Sequence, residues 1–405
     1  MAEPPALYWT FMALDVSAIQ QALRAERLDG WLLYDFHGSN PIASHLAGLD
    51  QGGHMTSRRW YYLIPAQGAP RGLVHAIERH NLGALPGAKT VYARRDELES
   101  GLTTLLSGLR RVAMEYSPDC AIPYLSRVDA GTAEAVRRRG IEIVSSGDLV
   151  QQFEATWTPE QYASHRSASD ALYRIKDRAF ETAAKALRDR ANLTEYSLQQ
   201  QMAGWFVDEG LVSDSVPVVA VGANAGNPHY LPSAASTATI GPDAVLLLDL
   251  WGKHKTLGAV FADITWVGFT GPEPPEPVTR AFAAIAQARD AAVALVVAAA
   301  GAGRELRGWE VDRAARTVLE HAGYAEQILH RTGHSLGESV HGNGVHLDDY
   351  ETHDERRILP GTGFTVEPGL YFDSFGVRTE VNVFRGDHTA EVTGPTQMEL
   401  VRLTN

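Results

Sequence analysis

The sequence predicts two domains, an α/β domain over residues 1–155 and an α+β domain over residues 156–405. Three observations carry that reading. A chain of 405 residues is too long for one hydrophobic core. Its first part alternates helix-period with strand-period segments, the pattern of an α/β layer structure. A helix-start signal, "TWTPEQY" at 156–162, then opens a run of long helices followed by strand pairs.

In the first domain "VSAIQQALRAER" has helical spacing, while "GWLLYD" and "WYYLIP" are short apolar strands. "AQGAP" is a turn leading into "RGLVH". "RVAMEY" and "IEIVSS" add two strands, with the helical "RVDAGTAEAVRRR" between them. At the boundary Thr158 can cap a helix that has Pro159 at its first position and Gln161 reaching back. Trp157 and Tyr162 are then placed to form a hydrophobic staple. That helix is expected to run to about residue 188, and a second to cover about 194–209. "SVPVVAVGANAGNPHYLPS" reads as strand and then turns. "AVLLLDLWG" and "AVFADITWVGF" read as a strand pair whose polar turn holds Lys253 and Lys255. The proline-rich "GPEPPEP" ends at a further helix over roughly 278–300, and "GFTVEPGLYF" and "VRTEVNVF" close the chain with strands.

Composition excludes several functions. A formal net charge of -13 with no basic stripe argues against nucleic acid as a partner. Cys120 is the only cysteine, so neither an intrachain disulfide nor a thiolate metal cluster can form. The opening "MAEPPALYWTFMALD" has acids and prolines where a signal peptide has a basic and then an apolar stretch. The longest uncharged apolar run, Ala291–Gly303, has 13 residues, too few to span a bilayer. A cytoplasmic protein without a membrane partner is expected.

Chemistry concentrates in two places. Residues 330–346, "HRTGHSLGESVHGNGVH", hold four histidines, His330, His334, His341 and His346. Four acids stand in apolar strands: Asp249 closing "VLLLD", Asp263 between Ala262 and Ile264, Glu367 in "FTVEPG" and Glu380 in "VRTEVNV". Buried carboxylates cost several kcal/mol unless paired or metal-bound. No lysine is expected in these strands, and Arg378 is one cation against four acids. Two divalent cations would balance the four carboxylates. One imidazole among several oxygens suits Mn²⁺, with Zn²⁺ or Co²⁺ as alternatives, better than Ca²⁺. A two-metal site gives hydrolysis a mechanism, because the ions acidify a shared water and clamp the reacting oxygens.

The order Asp249, Asp263, His334, Glu367, Glu380 resembles the ligand set of the pita-bread metallopeptidases, which include prolidases, aminopeptidases P and methionine aminopeptidases. "GNPHY", "HRTGHSLGESVH", "TVEPGLY" and "RTE" resemble the prolidase and aminopeptidase P branch, and the leading α/β domain is similar to that branch's creatinase-like domain. The resemblance implies that Asp249 chelates one metal, Asp263 and Glu380 bridge two, and His334 and Glu367 bind the second. It implies further that Glu367 shuttles a proton, that His341 steadies the tetrahedral intermediate, and that His229, His330 and Tyr371 face the substrate. Arg378 would orient the bridging Glu380. The activity implied is hydrolysis of the Xaa-Pro bond by a metal-bridging hydroxide, in dipeptides ahead of longer peptides, by a homodimer.

The chain departs from that pattern in places. Asp249 and Asp263 stand 14 residues apart, a longer hairpin than is usual in the family. Trp266 occupies a position where arginine is common, Ser335 one where glycine is, and Gly342 one where an acid is. The arginine expected to hold the substrate carboxylate is missing from "GVHLDDYETHDERR", where His353 falls near its place. Arg356, Arg357, or Arg58 or Arg59 from a partner subunit are the substitutes available. His346 and the acids at 348, 349, 351 and 354 read as an exposed loop at the site rim. The competing reading of another class is a non-catalytic binding module. Such modules typically have a broken ligand set, and all five residues are present here.

Overall fold

The computed structural model describes residues 14–49 and 55–404, which form two compact units meeting between Glu154 and Ala155. In the first unit the described elements are α1 (Val16–Ala25), β1 (Gly30–Asp35), α2 (Pro41–Leu46), β2 (Trp60–Pro65), β3 (Arg71–His75), β4 (Ala88–Tyr92), α3 (Arg95–Leu106), β5 (Arg111–Met114), α4 (Ala130–Arg137), β6 (Glu142–Ser145) and the short α5 (Gly147–Val150). The strands make one mixed sheet in the order β4-β3-β2-β1-β5-β6, with β1–β2 and β2–β3 antiparallel and the other pairs parallel. Every residue of β1 and β2 is buried, because helices and loops cover both faces. Trp31, Leu33, Trp60 and Tyr62 pack on one face, and Leu32, Tyr34, Tyr61 and Leu63 on the other. Sequence reading did not single out α2, α3 or β4. The last is largely exposed at the sheet edge and carries no apolar alternation.

The second unit opens as its sequence signal implies. In α6 (Pro159–Asp189) the Thr158 hydroxyl accepts from the Gln161 backbone N–H at 3.2 Å, and the Gln161 side chain accepts from the Thr158 N–H at 2.9 Å. The expected staple takes another form: Trp157 and Tyr162 both pack on Phe384, with ring centroids 5.5 and 4.6 Å away. Then follow α7 (Glu195–Asp208), β7 (Leu211–Val212), β8 (Val218–Val221), β9 (Val245–His254), β10 (Ala262–Phe269), α8 (Glu276–Gly301) and α9 (Gly308–His321). The remainder is β11 (Ser335–Leu336), β12 (Thr362–Val366), β13 (Gly369–Tyr371), β14 (Gly376–Arg378), β15 (Val381–Arg385), β16 (Ala390–Val392) and β17 (Val401–Arg402).

Two sheets matter for function. One has the order β17-β10-β9-β7 with β8 also on β9, the other β11-β12-β15-β16. The strand β9 extends through Lys253, which sequence reading placed in the turn. Its amine donates to the Glu338 carbonyl at 2.6 Å and not to a carboxylate, so the shortage of cations near the acids stands. By length and composition α8 could cross a membrane. Here Ala281, Ile285, Ala288, Ala292 and Val296 on it are buried in the same core as Val311 and Ala315 of α9.

Buried His165 ties α6 to the strand region. One ring nitrogen lies 2.8 Å from the Phe261 carbonyl, which only an N–H can satisfy, and the other accepts from the Thr393 hydroxyl at 2.8 Å. Burial lowers its pKa to about 4. A histidine that resists protonation when folded stabilises fully above its unfolded pKa of about 6.5, and that stability is lost as pH falls through 4. Unfolding free energy is expected to drop by about 3 kcal/mol over that window. Denaturant melts of wild type and His165→Gln should therefore converge as pH falls, and parallel curves would refute the assignment.

Candidate metal centre

Strand register brings the acids together. In the β9–β10 ladder Asp263 faces Trp251 and Thr265 faces Asp249, so all four side chains lie on one face. In the β12–β15 ladder Val366 faces Val381, and the next residues outward are Glu367 and Glu380. The two sheets are joined at this point. Asn382 accepts from the Asp263 N–H at 3.0 Å and donates to its carbonyl, and the Glu380 N–H donates to the Thr265 carbonyl at 3.2 Å.

His334 immediately precedes β11; its carbonyl accepts from the Thr365 N–H and its own N–H donates to the Thr365 hydroxyl at 3.0 Å. Gly333 makes this approach possible, since a Cβ there would lie 2.1 Å from the Thr365 carbonyl oxygen. Residues 330–346 form loop and strand. Nδ1 of His334 faces the Ser335 carbonyl at 3.1 Å and must carry the proton. The Nε2 lone pair is then directed at Asp263, 3.6 Å away, and Glu367, 3.4 Å away.

Ligand atoms of Asp263, His334 and Glu380 lie within 4.8 Å of one another, all buried. Among the described residues Asp263 Oδ1 and Glu380 Oε1 are buried with no hydrogen-bond partner. Burial, reinforced by the neighbouring carboxylates, pushes both pKa values well above the carboxylate range. Burial raises Asp249 too, against the pull of Arg378. Burial also acts to raise Glu367, but His334, His330, Arg378 and Arg331 outweigh it and hold that carboxylate below its usual value. A neutral imidazole with its lone pair inward, beside orphaned carboxylate oxygens, is a donor set for a hard or borderline divalent cation.

Arg378 acts on Glu380 through an intermediary. It makes no hydrogen bond to Glu380: Nη2 donates to Asp249, Nη1 to the Tyr371 hydroxyl at 2.9 Å, and Nε to Thr265 Oγ1 at 3.0 Å. Thr265, which the sequence did not flag, passes the contact on by donating to Glu380 Oε2 at 2.8 Å. A threonine in a strand carries no signal of its own; its pairing opposite Asp249 is what selects it. His330 joins the same network. Its Nδ1 donates to the Arg331 carbonyl at 2.6 Å, and its Nε2 accepts from Tyr371 at 2.7 Å. His341 packs edge-on against His334 at 4.4 Å; it is exposed to solvent, and partial loss of hydration, with His334 and Arg331 nearby, lowers its pKa.

Among the described residues His229, His353, Arg356, Arg58 and Arg59 make no hydrogen bond to this cluster. His229 is exposed, and its imidazole has no hydrogen bond among the described residues. His353 stacks on Trp309 and bonds Asp349 at 2.6 Å. Arg356 is buried and committed to Asp354 and the Asn343 carbonyl, which removes it as a free carboxylate binder. Arg58 and Arg59 are exposed beside a cavity of about 610 Å³ within the first unit. The loop expected to be exposed is in large part buried: His346, Asp348 and Asp354 are at most 1% exposed. Asp348 accepts from three successive backbone N–H groups at 350–352, and Asp354 from that of His346, so these acids are structural braces.

Residues 169–385, more than half of the chain, match the model of metallopeptidase family M24. The chain belongs to that family. This M24 chain is 30% identical over 214 residues to a Xaa-Pro dipeptidase of Lactobacillus delbrueckii subsp. lactis, an alignment covering 50% of this chain and 51% of the relative. It is 27% identical over 323 residues to a probable dipeptidase PepE of Mycobacterium tuberculosis, covering 78% of each. The alignments to the Lactobacillus relatives span only about half their length, 51% and 58%. The crystal structure of dipeptidase PepE from Mycobacterium ulcerans has a TM-score of 0.71 at 21% identity, covering 98% of this chain and 100% of that one. Prolidase from Thermococcus sibiricus has a TM-score of 0.63 at 20% identity over 96% and 98%. The fold of the M24 chain is therefore a creatinase-like α/β domain followed by a pita-bread domain, and the family uses divalent metal.

Proposed function

We propose that this M24 chain is a metal-dependent peptidase that hydrolyses the bond before proline, in dipeptides ahead of longer peptides. The observation that carries this is the pair of orphaned buried oxygens, Asp263 Oδ1 and Glu380 Oε1, beside the inward lone pair of His334. Asp249, Asp263, His334, Glu367 and Glu380 would hold two divalent ions, Mn²⁺ ahead of Zn²⁺ or Co²⁺. When bound, the ions supply positive charge that polarises the scissile carbonyl and makes water acidic near neutral pH.

The protein's own groups do the rest. Glu367, kept ionised by its cationic and imidazole neighbours, is the base that can take a proton and return it to the departing nitrogen. His341, neutral at pH 7, offers an N–H to the oxygen on which negative charge develops. Arg378 orients Asp249 directly and Glu380 through Thr265, while Tyr371 fixes His330 at the pocket wall. His229 reaches substrate from the 227–230 turn. An Xaa-Pro bond is a tertiary amide without N–H, so the site needs no acceptor for that hydrogen.

With Arg356 locked and His353 held by Trp309 and Asp349, the groups left for the substrate carboxylate are Arg357 and, in a homodimer, Arg58 or Arg59 of a partner subunit. The braced rim at 346–354 favours a closed pocket and so dipeptides. We place the enzyme in the cytoplasm, away from membranes and nucleic acid. The test is hydrolysis of Leu-Pro and Leu-Pro-Gly by metal-stripped protein with and without Mn²⁺. Metal-dependent cleavage of Leu-Pro is expected. Preference for the tripeptide would make it an aminopeptidase P, and no cleavage of either, with metal bound, a binding module.

A further inference from the structure

Beside the metal cluster stands an acid that the mechanism does not use. β7 ends at Val212, paired with Lys253 of β9, and β8 begins at Val218, paired with Asp249. The loop between them passes Trp251, which lies on the same face of β9 as Asp249 and faces Asp263 across the hairpin. Trp251 Nε1 donates to Asp214 Oδ1 at 2.6 Å, and its ring packs against the cluster of Leu336 and Val340, next to His341. Trp251 thus holds the carboxylate beside the strand face that carries Asp249 and Asp263, and its charge acts on both Asp263 and His341.

Asp214 is exposed and oriented, but it is not neutralised. An indole N–H aims a carboxylate without cancelling its charge. The nearest strand cation, Lys253, is turned to the Glu338 carbonyl and the Phe261 ring. Among the described residues no cation pairs with Asp214. We propose that Asp214 is a specificity residue that selects substrates with a cationic side chain on the residue before proline. In an Xaa-Pro dipeptide the proline ring carries no charge, so the only side chain that can meet Asp214 with a positive charge is that of Xaa. This rests on the Xaa-Pro reading above.

The test is the ratio of kcat/KM for Lys-Pro to that for Leu-Pro, because the α-ammonium common to both cancels in it. Asp214→Asn is expected to lower the ratio about fivefold, through KM, as for a partly exposed ion pair of about 1 kcal/mol. Asp214→Lys should invert the preference in favour of Glu-Pro, and Trp251→Phe, which keeps the charge and frees its orientation, should give an intermediate ratio. An active Asp214→Asn enzyme with an unchanged ratio, or one that loses both substrates equally, would overturn the proposal while leaving the peptidase reading in place. A wild-type enzyme that cleaves neither dipeptide would remove both.

Discussion

Asp263→Asn is expected to lose the metal-induced rise in melting temperature and to lower Xaa-Pro hydrolysis on the order of 10³-fold, the several kcal/mol that bound metal contributes. Asn382 and the strand ladder fix the backbone of residue 263, so the amide occupies the same place as the carboxylate. What it lacks is negative charge opposite Glu380 and His334. The sign for the metal-free protein is the opposite. A buried acid with a raised pKa gives full stability below its unfolded pKa and loses it as pH rises through the folded value. Metal-free wild type should thus weaken above the ordinary carboxylate range, and the metal-free variant should weaken less. Melting curves at several pH values with and without Mn²⁺, together with bound-metal analysis, check both halves. A variant with full metal content and rate would show that Asp263 is not a ligand.

Thr265→Val is expected to weaken metal binding by about 10- to 100-fold, the usual effect of removing a partner that orients a ligand. Thr265 is fully buried, and its hydroxyl is the one group that receives Arg378 Nε and donates to Glu380 Oε2. Valine keeps the shape and removes both bonds, leaving Glu380 without its orienting donor and Arg378 with an unmet N–H, at about 1–3 kcal/mol of stability. Titration calorimetry with Mn²⁺ on metal-stripped protein reads the affinity, and Thr265→Ser should restore it to within a few-fold. Equal affinity in the valine variant would mean that Glu380 is held by the backbone alone.

These two residues mark how far the sequence could be read. Asp263 was legible because an acid inside an apolar strand is costly and needs a cause. The same logic found Asp249, Glu367 and Glu380, and the glycine-flanked histidines supplied His334. Thr265 was not legible, since threonine is at home in any strand. Asp348 and Asp354 were misread as solvent-exposed, unlike Glu351, because a short run of charged residues resembles a rim loop. The carboxylates of Asp348 and Asp354 are in fact consumed by backbone N–H groups of the same loop. Arg378 was legible as a residue that orients Glu380, but the relay was not: its guanidinium bonds Asp249 and Thr265, and Thr265 carries the contact to Glu380.

By itself the sequence determined which residues are candidates to hold metal, the domain that carries them and the capped helix that opens it, because these follow from local preferences and from the cost of burying charge. The tertiary structure decided who meets whom: Asp249 with Arg378, Thr265 with Glu380, Trp251 with Asp214, and Arg356 with Asp354 rather than with substrate. Those pairings join residues that are mostly far apart along the chain, and register between strands sets them. A one-residue slip would turn every such side chain to the opposite face, so composition and spacing alone do not contain them.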